Sequence, residues 1–487
     1  MLKKITYFML PVLLLLFLHF RGLSYPDEGY ILHSAQRILQ GEILYKDFLM
    51  VYMPGSTYLA AISFILFGQS IFAGRIVAFI LSLVTAYALY LLLRRTTKNA
   101  TTSYLGTLAY IAWGPSHINY IWPTMLSITT SVLCLLFLTK ALEFAKPKYY
   151  MLIGMALGLT ILIKQNFAVA LFITVLFALI KSKNNNLQNV QRLCMGILIP
   201  IIPFIALLFF TNSYISFFEN IYFYTIKGII FENIYTTPFI HGDTGIEKVL
   251  NVIGYSLPLL ISIISFIILY RRKSKYSYLS FFVIIFYLFS IRPTPDYVHI
   301  TPILSLLGLP ISFLVPSQNK FKKIYFVLFA VLIFAGLYSA IFKGFYRWEP
   351  PHIHKGWTSP LIENSTFSNN SSVLILVDTS HAKSIRDISA FFKKNAKKNE
   401  YIFVNYYSPL MYFITDTKNP TRFEVIDQSS FYKPFQNEIL QNLQEKNVRF
   451  IISYKKNKGS FLEEFIKENY ELALMTEDIT VWQKKNN

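Results

Sequence analysis

The sequence predicts a polytopic α-helical membrane protein of about eleven transmembrane helices, followed by a C-terminal α/β domain outside the membrane. Three observations carry that class. The chain is 54% hydrophobic and only 15% charged over 487 residues, where soluble domains carry roughly a quarter charged residues. Apolar runs of near-spanning length recur from residue 5 to residue 342. Lys and Arg collect in short segments between alternate runs, the positive-inside pattern. The net charge of +20 therefore belongs in part to topology and in part to a C-terminal concentration, Lys393-Lys394, Lys397-Lys398 and Lys455-Lys456, which suits a solvated face or a surface lying on anionic lipid; no nucleic-acid partner is expected.

The elements follow in order. Span 1 covers 5–20, with Lys3 and Lys4 holding its start in the cytoplasm. No small-residue cleavage site follows Phe20, so the run reads as an uncleaved first span. An outer loop, 21–58, opens with Tyr25-Pro26-Asp27-Glu28-Gly29-Tyr30. Residues 28–40 suit a helix, with Ile31, Ala35, Ile38 and Leu39 on one face and His33, Gln36, Arg37 and Gln40 on the other. Such a helix is expected along the membrane surface, ended by Gly41 in a left-handed conformation.

A short apolar piece, 57–67, precedes span 2 (71–93), which closes on Arg94-Arg95. Spans 3 (101–114) and 4 (122–142) flank a tight outer loop containing His117 and Asn119. Spans 5 (149–163) and 6 (166–180) are divided only by Lys164-Gln165-Asn166. Span 7 (193–211) leads into an outer loop, 212–246. Span 8 (247–270) ends on Arg271-Arg272-Lys273, and span 9 (276–291) meets Arg292-Pro293-Thr294-Pro295-Asp296-Tyr297-Val298-His299. Spans 10 (300–315) and 11 (324–342) enclose Lys320, Lys322 and Lys323. This places the N-terminus in the cytoplasm and the C-terminus outside a cell membrane.

From 343 charge rises and alternating patterns replace long apolar runs. Strands are expected at 373–377, 401–404 and 448–453, and a hairpin at 470–475 and 479–483. Helices are expected at 384–395, 436–446 and 461–468. The domains are thus 1–342, within the membrane, and 343–487, an α/β domain outside it. Cys134 and Cys194 lie in apolar runs, which supports neither a disulfide framework nor a zinc site.

Asp27 and Glu28 are the first candidates for chemistry, because ionisable groups beside a span are costly to keep there. Sequence neighbours point in different directions, so a division of labour suits them. One carboxylate accepts a proton from a hydroxyl, and the other holds a cation, a basic side chain or the backbone. Asp27 or Ser24 equally suits a plain helix cap. Arg37, Arg75, Lys164 and Arg292 are outer-side cations able to meet a lipid phosphate. Lys164 also fits a snorkelling lysine at a hairpin tip. Asp296 and His299, three residues apart, suit an acid-base or phosphate-recognition pair, or a plain interfacial loop. His117 is a further supporting candidate.

These residues resemble a known family. Span 1, Pro26-Asp27-Glu28-Gly29-Tyr30, Gly41-Glu42-Ile43-Leu44-Tyr45-Lys46-Asp47-Phe48, a Pro-Gly step before Phe67-Gly68, and Arg75 opening span 2 are similar to the GT-C glycosyltransferases. The likeness is to the branch holding protein O-mannosyltransferase-like, lipid A aminoarabinose transferase-like and Rgt-like enzymes. The resemblance implies an inverting transfer of a sugar from a polyprenyl-phosphate donor to a lipid, glycan or protein acceptor. It implies Asp27 as the base, Glu28 as its partner, and Lys164, Arg292 and Arg75 as cations for the donor phosphate. No cofactor is assigned. Some members use a divalent metal, and Glu219, Glu232 and Asp243 in the 212–246 loop keep that open.

Two other readings compete. A transporter or flippase fits the number of spans, but transporters place broken helices and ionisable groups near the midplane, whereas the polar residues here gather at the outer edge. A scaffold with a binding domain outside the membrane is the third.

Overall fold

The computed structural model describes residues 2–24, 26–182, 186–222, 245–291, 297–314, 319–342, 365–368, 371–373, 379–405, 408–425, 435–454, 462–477 and 479–485. The helices run α1 (Leu2–His19), α2 (Asp27–Leu39), α3 (Gly55–Phe67), α4 (Ile71–Thr97), α5 (Ala100–Trp113), α6 (Pro123–Phe144), α7 (Pro147–Ile163) and α8 (Gln165–Ser182). They continue α9 (Leu187–Phe210), α10 (Tyr214–Tyr222), α11 (Gly245–Arg271), α12 (Ser277–Ser290), α13 (Tyr297–Leu306), α14 (Gly308–Ser312) and α15 (Asn319–Phe342). Two compact units form. The first combines Met1–His19, Val77–Leu207 and Ile234–Glu349; the second combines Phe20–Ile76, Leu208–Asn233 and Pro350–Asn487.

The first unit is helical. Among the described residues, α4, α6, α8, α9 and the Val252–Arg271 part of α11 are long and apolar enough to cross a membrane. Their outward side chains are apolar too: Ile202 on α9 and Leu260 on α11 are each more than half exposed, which suits lipid rather than water. The chain is a multi-pass membrane protein. Small residues and hydroxyls join its helices. A Cβ on Gly154 of α7 would lie 2.1 Å from the Leu193 carbonyl oxygen on α9, and one on Gly196 would lie 2.2 Å from that of Met151. Thr130 meets Thr160 at 2.8 Å and Thr139 meets Tyr278 at 2.6 Å. Phe167 and Phe286 pack α8 on α12, with ring centroids 4.3 Å apart.

Most expected helices stand within a few residues of their predicted limits. The expected span at 300–315 is instead broken into α13 and α14. Pro310 lacks an N–H and its ring opposes the carbonyl of Leu306, so a continuous helix cannot form there. The stretch after α9, expected as loop, begins with the helix α10.

The second unit holds α2, α3, α10 and the C-terminal stretch. That stretch carries a two-stranded antiparallel ribbon, β1 (Ser365–Ser368) and β2 (Ser371–Val373). After helix α16 (Thr379–Asn395) it adds β3 (Phe403–Asn405), α17 (Leu410–Thr415), α18 (Gln436–Glu445), β4 (Phe450–Tyr454), α19 (Glu463–Asn469), β5 (Tyr470–Met475) and β6 (Ile479–Lys484). Four strands form one sheet in the order β3-β4-β6-β5, parallel between β3 and β4 and antiparallel elsewhere. Phe450, Ile451 and Ile452 of β4 are all fully buried, as expected of a strand covered on both faces. The expected hairpin at 470–483 is present; of the expected strand at 373–377, residues 374–377 lie outside the described residues.

One core residue comes from far upstream. Leu49, from the segment between α2 and α3, packs in the same apolar cluster as Phe403, Phe423, Ile439, Val448 and Ile451. Its N–H donates to the Arg422 carbonyl at 2.8 Å. The first loop and the C-terminal stretch therefore share one core.

Candidate functional site

The segment after α1 turns into α2 through Pro26, whose fixed φ suits a helix entry. Ser24 Oγ accepts the Asp27 backbone N–H at 3.2 Å, so Ser24 serves as the cap. The Asp27 side chain is half-buried at the helix N-terminus, where the helix dipole favours its negative charge. Glu28, one residue on, points elsewhere. It is 2% exposed and grips Arg75 of α4, itself 0% exposed, through two bonds: Nε to Oε1 at 2.5 Å and Nη2 to Oε2 at 2.7 Å. Arg75 also donates to the carbonyls of Gly22 at 2.9 Å and Arg21 at 3.3 Å. The guanidinium thus ties both ends of the turn around Asp27 to the start of α4.

α2 does not show its polar face to water. Every residue from Glu28 to Arg37 is buried, because that face meets the C-terminal stretch. His33 Nδ1 lies 2.6 Å from Glu424 Oε2, and Arg37 Nη1 donates to Glu424 Oε1 at 2.9 Å. Arg37 also bonds Glu42 at 2.8 Å and the Thr421 carbonyl at 3.2 Å, and lies over the Phe48 ring. The His33 ring stacks on Tyr412 at 4.7 Å. Burial pushes the Glu424 carboxyl up, but His33 and Arg37 outweigh it and hold the group below its ordinary value. Burial first, and then the nearby Glu424 carboxylate, push the Tyr412 hydroxyl up against the opposing pull of the Val404 N–H and Arg37.

Glu424 is the residue that sequence reasoning missed. It stands 391 positions from His33, and a carboxylate between Phe423 and Val425 is the one local sign of burial. Nearby, Asn220 of α10 exchanges two hydrogen bonds with the Met50 backbone, at 3.1 and 2.6 Å. A cavity of about 350 Å³ opens beside this clamp, lined by Tyr45, Lys46, Asn220, Arg422 and Phe435 among others.

In the first unit, Lys164 sits at the break between α7 and α8 and is 7% exposed. Its Nζ donates to Thr124 Oγ1 at 2.8 Å and lies 4.5 Å from the centre of the Phe167 ring. His117 is packed parallel to Trp113 and lies between two hydroxyls, Ser116 at 2.8 Å and Ser339 at 3.2 Å. Ser116 already donates to the Ala112 carbonyl, so His117 Nδ1 donates to Ser116 and Nε2 accepts from Ser339. His299 opens α13, its carbonyl accepting from Ser290 Oγ at 2.6 Å. Arg292, Asp296, Glu232 and Asp243 lie outside the described residues. Among the described residues no three His, Cys, Asp or Glu side chains converge as a metal site. Of the candidates, then, Asp27, Glu28 and Arg75 stand together, whereas Lys164, His117 and His299 occupy the other unit.

Comparison with known proteins bears on what such an arrangement is. Residues 53–210 match the family model described as dolichyl-phosphate-mannose-protein mannosyltransferase. No curated protein sequence matches the chain. The fold is similar to that of ArnT from Cupriavidus metallidurans bound to undecaprenyl phosphate, with a TM-score of 0.62 and 14% identity over 99% of this chain and 97% of that one. The apo state of the same protein gives a TM-score of 0.60 at 13% identity, with the same coverage. At such identities the likeness is one of fold. In its membrane helices, its fold and the matched stretch, the chain is similar to polytopic membrane glycosyltransferases. The family match covers less than half of the chain, residues 53–210.

Proposed function

We propose that this protein is an inverting glycosyltransferase that moves a hexose or pentose from a polyprenyl-phosphate donor to a hydroxyl of a lipid, glycan or protein at the outer face of the membrane. In this reading the chain makes about eleven spans starting from a cytoplasmic N-terminus, and 21–58 and the α/β region 343–487 lie on that face. Asp27 takes the proton of the acceptor hydroxyl as its oxygen attacks the anomeric carbon. The bond from that carbon to the donor phosphate breaks on the opposite side, which inverts the configuration, and polyprenyl phosphate leaves as a stable anion. Lys164 and Arg292 hold the phosphate. Arg75 serves Glu28, and that pair orients the turn bearing Asp27. His117, Asp296 and His299 support the outer loops. A likeness to a protein whose solved structure holds undecaprenyl phosphate supports this donor class.

The observation that carries the assignment of the base is the contrast between neighbours. Glu28 is buried and neutralised by Arg75, while Asp27 is half-buried at a helix start. A positioned general base contributes about 10²–10⁴ in rate. Purified protein given polyprenyl-phosphate sugars and a mixed acceptor lipid extract is expected to transfer sugar. Asp27→Asn, at equal thermal stability, is expected to lose at least about 100-fold. Equal rates in both proteins would remove Asp27 from the role.

A further inference from the structure

We infer that Glu424 is a positioning residue: with the surrounding 408–425 segment it locks α2, and so the turn bearing Asp27, in its working orientation. The catalytic half of this inference rests on the glycosyltransferase reading. Four independent contacts converge on α2 from this segment. Glu424 meets two side chains one helical turn apart, the His33 imidazole and the Arg37 guanidinium, at 2.6 and 2.9 Å. Tyr412 covers the His33 ring. Gln36 donates to Asp416 Oδ1 at 3.2 Å. Gly29, two residues from Asp27, lies so close to α17 that a Cβ there would stand 2.2 Å from the Leu410 backbone nitrogen. Any side chain at position 29 would force α17 off the catalytic turn.

The arrangement is built for fixity. His33, Arg37 and Glu424 are each no more than 4% exposed, and a buried carboxylate shared by a guanidinium and an imidazole is strongly directional. Such groups more often specify one geometry than add net stability. The segment that carries Glu424 is itself fixed by the core that it shares with Leu49 and by the bond from the Leu49 N–H to Arg422. Loss of the lock leaves the sheet intact but lets α2 move, and a displacement of about 1 Å at a reacting group can cost about 100-fold in rate.

The test uses the full chain in detergent and two readouts, amide exchange and transfer kinetics. Glu424→Gln keeps the volume and one accepting oxygen but removes the charge that faces Arg37 and the second acceptor shared with His33. Exchange over 27–39 is expected to quicken about tenfold or more, with exchange over α18 unchanged. The kcat for transfer is expected to fall about tenfold or more while the donor KM stays within about twofold. Glu424→Asp, which keeps the charge, is expected to recover part of both. Gln36→Ala removes one peripheral bond and is expected to move both readouts in the same direction by about threefold. It serves as the test if Glu424→Gln fails to accumulate. Unchanged exchange in α2, or a rise in donor KM with kcat intact, would overturn the inference. A wild-type protein that transfers no sugar would sink the functional reading instead. Exchange would then still decide the lock: quickened exchange upholds it and unchanged exchange overturns it.

Discussion

Arg75 separates two chemistries that a sequence cannot tell apart. As a phosphate ligand its loss would weaken donor binding; as the partner of Glu28 its loss strikes the fold. The structure permits an estimate. Both partners are no more than 2% exposed, and two charged hydrogen bonds of 2.5 and 2.7 Å join them. Bonds to charged groups contribute about 1.5–3 kcal/mol each, and removing one member of a buried pair costs about 3–5 kcal/mol, because the other is left charged and unsolvated. Arg75→Gln also strips donors from the Gly22 and Arg21 carbonyls. We expect Arg75→Gln and Glu28→Gln each to destabilise by about 3–5 kcal/mol. The double variant should cost less than the sum of the two, by about 1–3 kcal/mol. Arg75→Lys keeps the charge but not the fork, so it should fall between wild type and Arg75→Gln. The assay is thermal unfolding in detergent at a fixed scan rate, with donor KM measured on the same samples. Arg75→Gln with unchanged thermal stability and a raised donor KM would refute this reasoning and return Arg75 to the phosphate.

Three further outcomes are expected. Lys164→Met, which keeps much of the packing on Phe167, should raise donor KM about tenfold or more with little change in thermal stability; an unchanged KM would leave Lys164 as a snorkelling side chain. The folded-state value of Glu424 is depressed, so its contribution is complete above the ordinary carboxylate value of 4.5 and is lost as pH falls through the lower folded value. Protection of α2 should therefore fall in that acid range in wild type and show no such step in Glu424→Gln; the same step in both proteins would clear Glu424 of it. Gly154→Val should disrupt the contact of α7 with α9, where even a Cβ lies 2.1 Å from a backbone oxygen. A loss of about 2 kcal/mol or more is expected in detergent unfolding, and wild-type stability would disprove so close a contact.

Much of the fold was legible along the chain, because the signals are local. Near-spanning apolar runs marked the helices. Alternation marked the terminal hairpin. The family resemblance gathered Asp27, Glu28 and Arg75 into one motif without saying how they divide the work. What the sequence by itself determined was therefore the membrane class and the order of elements. Tertiary structure alone decided the partners. It set Glu28 on Arg75, 47 residues away, and His33 and Arg37 on Glu424, 391 and 387 residues away. It placed Leu49 in the core of the C-terminal sheet. The polar face of α2 had promised a surface helix, yet it became a buried seam. The physical reason is that a polar stripe states only a need for partners: water, headgroups and a buried carboxylate all satisfy it, and long-range packing chooses among them.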